Sequence, residues 1–111
     1  MLNQFKPVMI FKNDINYRKQ SLVKLLKSVQ THEQEIIKAV HDDFKKSDFE
    51  VVISETSFII SELTYTIKNI TRWAKPKMVL PSLLNFPSTD YIFQEPYGKV
   101  LIIAPWNYPY Q

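Results

Sequence analysis

Five consecutive apolar residues, Val100 to Ala104, constrain the fold of this 111-residue chain more than any other feature. The run lacks polar alternation, which is typical of a strand buried on both faces of a parallel α/β sheet. Such a strand needs neighbouring strands and covering helices, and parallel neighbours need crossover connections. No such elements follow Ala104, so we expect these residues to be the N-terminal piece of a larger α/β protein.

The first 75 residues predict three helices. Apolar residues recur at helical spacing from Asp14 to about Gln30, from Thr31 to about Phe44 and from Asp48 to about Lys75. Two capping boxes mark the breaks: Thr31 would cap the second helix, and Ser47 would cap the third.

The third predicted helix is long and apolar on two sides. We expect the main stripe to face the first two helices and the thinner one to require another partner. The main stripe comprises Val52, Ile59, Ile60, Leu63, Ile67, Ile70 and Ala74; the thinner one comprises Val51, Phe58 and Tyr65.

The segment after the helices is predicted to be non-helical. Residues 76–89 contain three prolines and predict a linker, of which Pro76 ends the long helix. Thr89 to Gln94 then predicts a strand, and Glu95 to Gly98 predicts a turn.

Composition excludes several kinds of site. Gly98 is the single glycine, so no glycine-rich phosphate loop lies in these residues. The chain has no cysteine, which excludes disulfides, thiolate catalysis and cysteine-based zinc sites within it and fits a cytoplasmic location. His32 and His41 lack a third ligand at metal spacing, so we predict no metal site.

Charge is unevenly distributed. Residues 1–30 carry a net charge of +5, and residues 31–50 carry −3. A basic segment can contact nucleic acid or a membrane surface. No aromatic stacking platform lies among these lysines, so we predict a solvated helix face and no nucleic-acid partner.

Residues 95–111, EPYGKVLIIAPWNYPYQ, resemble the aldehyde dehydrogenase superfamily, in which such a strand leads into a P-W-N-[FY]-P loop. Upstream, ITRWAKPKMV is most similar to the class 3, fatty-aldehyde type. The resemblance implies an incomplete α/β fold whose last strand opens a Rossmann-like nucleotide-binding domain. The implied organisation is a helical segment with linker at 1–88, a strand and turn at 89–97, and the start of the NAD(P)-binding domain at 98–111.

The resemblance also implies a reaction, the oxidation of an aldehyde to a carboxylic acid with NAD or NADP through a cysteine thiohemiacetal. Asn107 would donate its side-chain amide to the oxyanion, and Tyr108 would line the aldehyde tunnel. A homodimer or higher oligomer is implied for the complete enzyme. The implied cofactor-binding residues are Ile103, Ala104, Pro105 and Trp106.

The residues alone say less about this loop. Pro105 and Pro109 bracket Asn107 and restrict the backbone, as a preorganised donor requires, but asparagine is also a common turn residue. Apolar positions 103–106 and Tyr108 are equally compatible with simple packing.

Two predictions concern the chain by itself. The resemblance implies a nucleophilic cysteine and a glutamate that activates water, and neither is expected among residues 1–111, so the chain should have no dehydrogenase activity. The uncovered strand Val100–Ala104 should cause self-association. The alternative interpretation is a free-standing helical interaction module, or a degenerate gene product, without catalysis.

Overall fold

The structure, a computed structural model, describes residues 14–111. It is mostly helical, with a small two-stranded sheet. The elements in chain order are α1 (Ile15–Thr31), α2 (Glu33–Phe44), α3 (Asp48–Val51), a π-helical turn (Val52–Thr56), α4 (Ser57–Trp73), β1 (Lys77–Val79), a 3₁₀ turn (Leu83–Asn85) and β2 (Asp90–Ile92).

The helix starts are set by local side-chain caps at two of the three predicted places. The Asp14 carboxylate accepts hydrogen bonds from the backbone N–H groups of Asn16 and Tyr17, and the Ser47 hydroxyl accepts one from the N–H of Glu50. Both side chains satisfy N–H groups that have no partner within their own helix.

The predicted cap at Thr31 is wrong. Thr31 is the last residue of α1, and His32 occupies the junction with α2 without a side-chain cap. The backbone of His32, with φ −102° and ψ 14°, lies in neither the helical nor the extended region, so this junction lacks the extended residue that a capping side chain requires.

The long third helix is confirmed, with one irregular turn. In the π-helical turn the N–H of Ser57 donates to the carbonyl of Val52, five residues back, and α4 then continues to Trp73. Pro76 follows the end of the helix closely, as predicted. All seven residues of the predicted main stripe are buried or half-buried.

Two helix contacts form the core. α1 packs against α4, where Val29 and Ile70 are buried, and α2 packs against α3 around Ile37, Val40 and Val51. The Thr56 hydroxyl also donates to the Glu33 carboxylate at 2.7 Å, which ties the π-helical turn to the start of α2.

The predicted strand at 89–94 exists but is shorter, and its partner was missed. β2 pairs antiparallel with β1, which aligns Met78 with Tyr91. β1 lies inside the segment predicted to be a linker. Its three residues are too few to show a period of two, and prolines at 76 and 81 flank them, so local pattern alone did not indicate a strand.

The predicted buried strand at Val100–Ala104 is not confirmed. These residues form no strand, and the side chains from Val100 to Ile103 are 66–87% exposed. Within residues 14–111 the two strands pair only with each other, so the run has no neighbour to complete a ladder. The described residues therefore contain no parallel sheet.

The core assignment predicts unequal effects of two isoleucine substitutions. Ile37→Ala should lower the free energy of unfolding by about 2–5 kcal/mol, because Ile37 is 4% exposed and its loss leaves a cavity. Ile53→Ala, at a residue 57% exposed, should change it by no more than about 0.5 kcal/mol. Urea unfolding followed by helical circular dichroism measures both, and equal effects would contradict the assigned core.

Candidate functional site

The residues after the apolar run return to the helices and dock there. The chain turns at Trp106 and Asn107 and then reaches α2 and the π-helical turn. Three polar contacts hold it: Lys46 Nζ donates to the Asn107 carbonyl at 2.9 Å, the Tyr110 N–H donates to Glu55 Oε2 at 2.9 Å, and Lys46 Nζ lies 4.5 Å from the centre of the Tyr108 ring. We call residues 105–110 the docked loop.

Glu55 is the centre of this arrangement. Its side chain is completely buried, and both carboxylate oxygens are used, Oε1 by Lys46 at 2.7 Å and Oε2 by Tyr110. The π-helical turn supplies Glu55 and the residue after it, Thr56, and both side chains are fully buried. Consecutive residues of a regular helix point about 100° apart, so burying two polar neighbours requires partners on two sides. Glu55 accepts a hydrogen bond from Tyr110 in the docked loop, and Thr56 donates one to Glu33 in α2.

The turn between α2 and α3 directs Lys46 toward Glu55. Lys45, directly after the last residue of α2, has the left-handed conformation with φ 57°, and its N–H donates to the carbonyl of His41. His41 Nδ1 lies 2.8 Å from the carbonyl oxygen of Lys46 and fixes the backbone on the other side. The Lys46 side chain, 13% exposed, then lies between the helices and the docked loop.

Burial makes this pair sensitive to the loss of either member. A buried ion pair contributes little net stability, since removing two charges from water offsets most of their attraction. Removing one partner leaves a buried charge without compensation, which typically costs about 3–5 kcal/mol. Lys46 and Glu55 therefore specify the geometry of the docked loop more than they stabilise the fold.

Tyr110 adds an apolar contact. Its side chain packs against the cluster formed by Ile37, Val40 and Val51. A cavity of about 390 Å³ lies between α2 and the end of the docked loop, lined in part by Ile36, Pro109 and Tyr110. Burial raises the pKa of the Tyr110 phenol above its ordinary value, because the phenolate would lose hydration in this setting.

The structure places the predicted oxyanion donor on the surface of the docked loop. Asn107 is exposed, and within residues 14–111 its side-chain amide makes no hydrogen bond, although its own carbonyl accepts from Lys46. The backbone is thus fixed while the amide is available to another group. Tyr108, the predicted tunnel residue, is partly exposed and lies under the Lys46 ammonium.

The predicted cofactor-binding residues Ile103, Ala104, Pro105 and Trp106 are all exposed. Pro105 and Trp106 are the first two residues of the docked loop, and Ile103 and Ala104 directly precede it. The fit to a nicotinamide cofactor is therefore partial: an apolar surface suited to adenosine and ribose is present, whereas a glycine turn for the pyrophosphate is not among these residues.

Other features of the described residues point to no further chemistry. A cavity of about 590 Å³ between the start of α1, the end of α4 and residues 93–96 shares no residue with the docked loop. From residue 14 onward, no three His, Asp or Glu side chains group as a metal site would require. Across the same residues, no helix is both long and apolar enough to cross a bilayer.

Sequence reasoning missed Lys46 and Glu55 as members of the site. A signal for Glu55 was available, because it lies three residues after Val52 and four before Ile59, both in the main apolar stripe. An acidic residue within such a stripe indicates a buried polar partner. Nothing in the sequence indicated that the partners would be Lys46 and a backbone N–H 55 residues further on.

Comparison with known proteins identifies the family. The family model described as aldehyde dehydrogenase matches residues 6–111. A 4,4'-diaponeurosporen-aldehyde dehydrogenase from Staphylococcus aureus is 40% identical over 98 residues, covering 88% of this chain and 21% of that protein. Aldehyde dehydrogenase family 3 member B3 from Mus musculus is 39% identical over 93 residues, covering 84% and 19%. The Homo sapiens family 3 member B1 is 37% identical over 93 residues, covering 84% and 20%.

The family-model match extends over nearly the whole sequence and includes the docked loop. The chain belongs to the aldehyde dehydrogenase family, as the resemblance to the class 3 type predicted. It spans about a fifth of the length of the curated relatives it matches.

The burial of Tyr110 predicts a loss of stability at alkaline pH. A group whose pKa is raised by folding contributes stability below its unfolded pKa, near 10, and that stability is lost as the pH rises through the folded value. Urea unfolding between pH 8 and 11 should therefore show a steeper decline for the wild type than for Tyr110→Phe. Parallel curves for the two proteins would contradict the assigned burial.

Proposed function

We propose that this chain is the N-terminal part of an NAD(P)-dependent aldehyde dehydrogenase that oxidises aldehydes to carboxylic acids. In this proposal residues 1–88 form the helical segment and linker, 89–97 the strand and turn, and 98–111 the start of the cofactor-binding domain. Val100–Ala104 would become the first strand of that domain when neighbouring strands are present. Family membership supports the class of reaction.

The observation that carries the mechanism is the state of Asn107. Its backbone is held by Lys46, and its side-chain amide is exposed and makes no hydrogen bond within residues 14–111. When a thiolate attacks an aldehyde, the carbonyl oxygen becomes negative and needs a fixed donor. An amide N–H donates without titrating near neutral pH, so it stabilises the oxyanion without protonating the thiolate.

The remaining groups have separate tasks. Tyr108 would form part of the wall beside the aldehyde, and the exposed apolar surface from Ile103 to Trp106 would contact the cofactor. When bound, NAD or NADP accepts the hydride. The chain has no cysteine, so the nucleophile would have to come from outside residues 1–111. By the family resemblance, the glutamate that activates water would also lie outside them.

Removing the Asn107 amide tests its role. In the complete gene product, Asn107→Ala should lower kcat by about 10²–10³, with little change in KM, because the donor acts on charge that develops only in the transition state. The measurement is aldehyde-dependent formation of NADH or NADPH. Asn85→Ala, at an exposed residue of the 3₁₀ turn, is the matched control and should retain full activity. An active Asn107→Ala enzyme would exclude the oxyanion role.

The purified chain of residues 1–111 should show no aldehyde-dependent reduction of NAD or NADP, because it contains only one of the required groups. Any turnover that depends on both aldehyde and cofactor would overturn this prediction. The same assay on the complete gene product separates the dehydrogenase from the alternative of a helical interaction module, which predicts no turnover in either case.

Self-association of the purified chain is a further expected outcome. Val100 to Ile103 present a row of exposed apolar side chains without strand partners in the described residues, and such a row can pair with another copy. Light scattering should show oligomers of residues 1–111, and Ile102→Lys should reduce them. A monodisperse monomer at high concentration would contradict the prediction. For the complete enzyme we propose a homodimer or higher oligomer.

A further inference from the structure

We propose that Lys46 and Glu55 are positioning residues that set the orientation of the Asn107 amide. This inference rests on the proposed function, because it assigns a task to two side chains of the same site. The Lys46 side chain is 13% exposed and that of Glu55 is fully buried, and each forms a hydrogen bond to the backbone of the docked loop.

The contacts fix the loop at two points. Lys46 holds the carbonyl of Asn107, and Glu55 holds the N–H of Tyr110, three residues later. Pro109 lies between these points and restricts the backbone further. With the carbonyl of Asn107 held, rotation of the peptide group is restricted, so the side chain leaves the backbone in a defined direction.

The chemistry of Lys46 suits this task. An ammonium has three donors and no acceptor. Two of its hydrogen bonds go to Glu55 and Asn107, and the charge also lies 4.5 Å from the centre of the Tyr108 ring, within the range of a cation–π contact. One side chain therefore contacts Asn107 and Tyr108, the predicted oxyanion donor and the predicted tunnel residue.

Glu55 in turn holds Lys46. Its carboxylate is fully buried and faces the ammonium on one oxygen and the loop N–H on the other. The exposed pair Lys38–Asp42 shows the contrast: it joins two turns of α2, and within residues 14–111 neither of its side chains forms a hydrogen bond to another element. Two ion pairs of the same chemistry thus provide a test pair and a matched control in one chain.

The test must separate positioning from stability. Replacing Lys46 alone would leave Glu55 charged and buried, and the protein could unfold for that reason alone. The double variant Lys46→Met/Glu55→Leu removes both charges and keeps apolar volume, a change that is often neutral or stabilising for a buried pair. The control is Lys38→Met/Asp42→Leu, which makes the same chemical change on the surface of α2.

Two readouts on the complete gene product decide the outcome. We expect Lys46→Met/Glu55→Leu to lower kcat by about 10- to 100-fold with KM nearly unchanged, since a displacement of about 1 Å of a catalytic group has an effect of that order. Hydrogen exchange of peptides covering residues 105–110 should be at least about 10-fold faster, because Tyr110 loses its acceptor. Exchange in α1 and α4 should not change, and the control should match the wild type in both readouts.

Three results would overturn the inference or part of it. Unchanged kcat with fast loop exchange would show that the pair holds the loop without a role in catalysis. Unchanged exchange at 105–110 would show that the loop does not depend on the pair. If the wild type has no aldehyde-dependent activity, the proposed function fails and the catalytic half of this inference with it, while the exchange measurement still decides whether Lys46 and Glu55 anchor the loop.

Discussion

The fully buried carboxylate of Glu55 is the interaction on which the rest of the site depends. Its two partners, Lys46 and the N–H of Tyr110, come from parts of the chain that are nine and 55 residues away. A buried carboxylate without donors is strongly unfavourable, so the three segments that meet at Glu55 must be in place together. The α2–α3 turn, the π-helical turn and the docked loop are thus specified by one requirement, that this charge be satisfied. The apolar contact of Tyr110 with the helices forms in the same arrangement.

Those parts of the fold that depend on neighbours in sequence were predictable. Helical spacing of apolar residues gave α1, α2 and the long helix, and the capping box at Ser47 marked the start of the third. The main stripe of the long helix is buried or half-buried as expected. The family also followed from the residues around Asn107, because the short motif in the docked loop is specific to it.

The rest depends on partners distant in the sequence. Whether Val100–Ala104 forms a strand depends on neighbouring strands, and the described residues provide none. β1 became a strand only because β2 lies beside it. Thr31 shows a different cause: its capping motif was correct in composition, but α1 continued through it, so no side chain caps the start of α2. No local pattern indicated that Lys46 would reach the carbonyl of a residue 61 positions away.

The π-helical turn has a consequence for how the long helix can be used. An extra residue in one turn shifts the phase of everything after it by about 100° relative to everything before it. The part containing Val51 and Glu55 meets α2 and the docked loop, while the part from Ser57 onward meets α1. A regular helix has one phase throughout and would have to compromise between these two neighbours. Because of the turn at Val52–Thr56, the residues before it and after it face different neighbours. A substitution that changes the packing against α1 therefore need not change the placement of the docked loop.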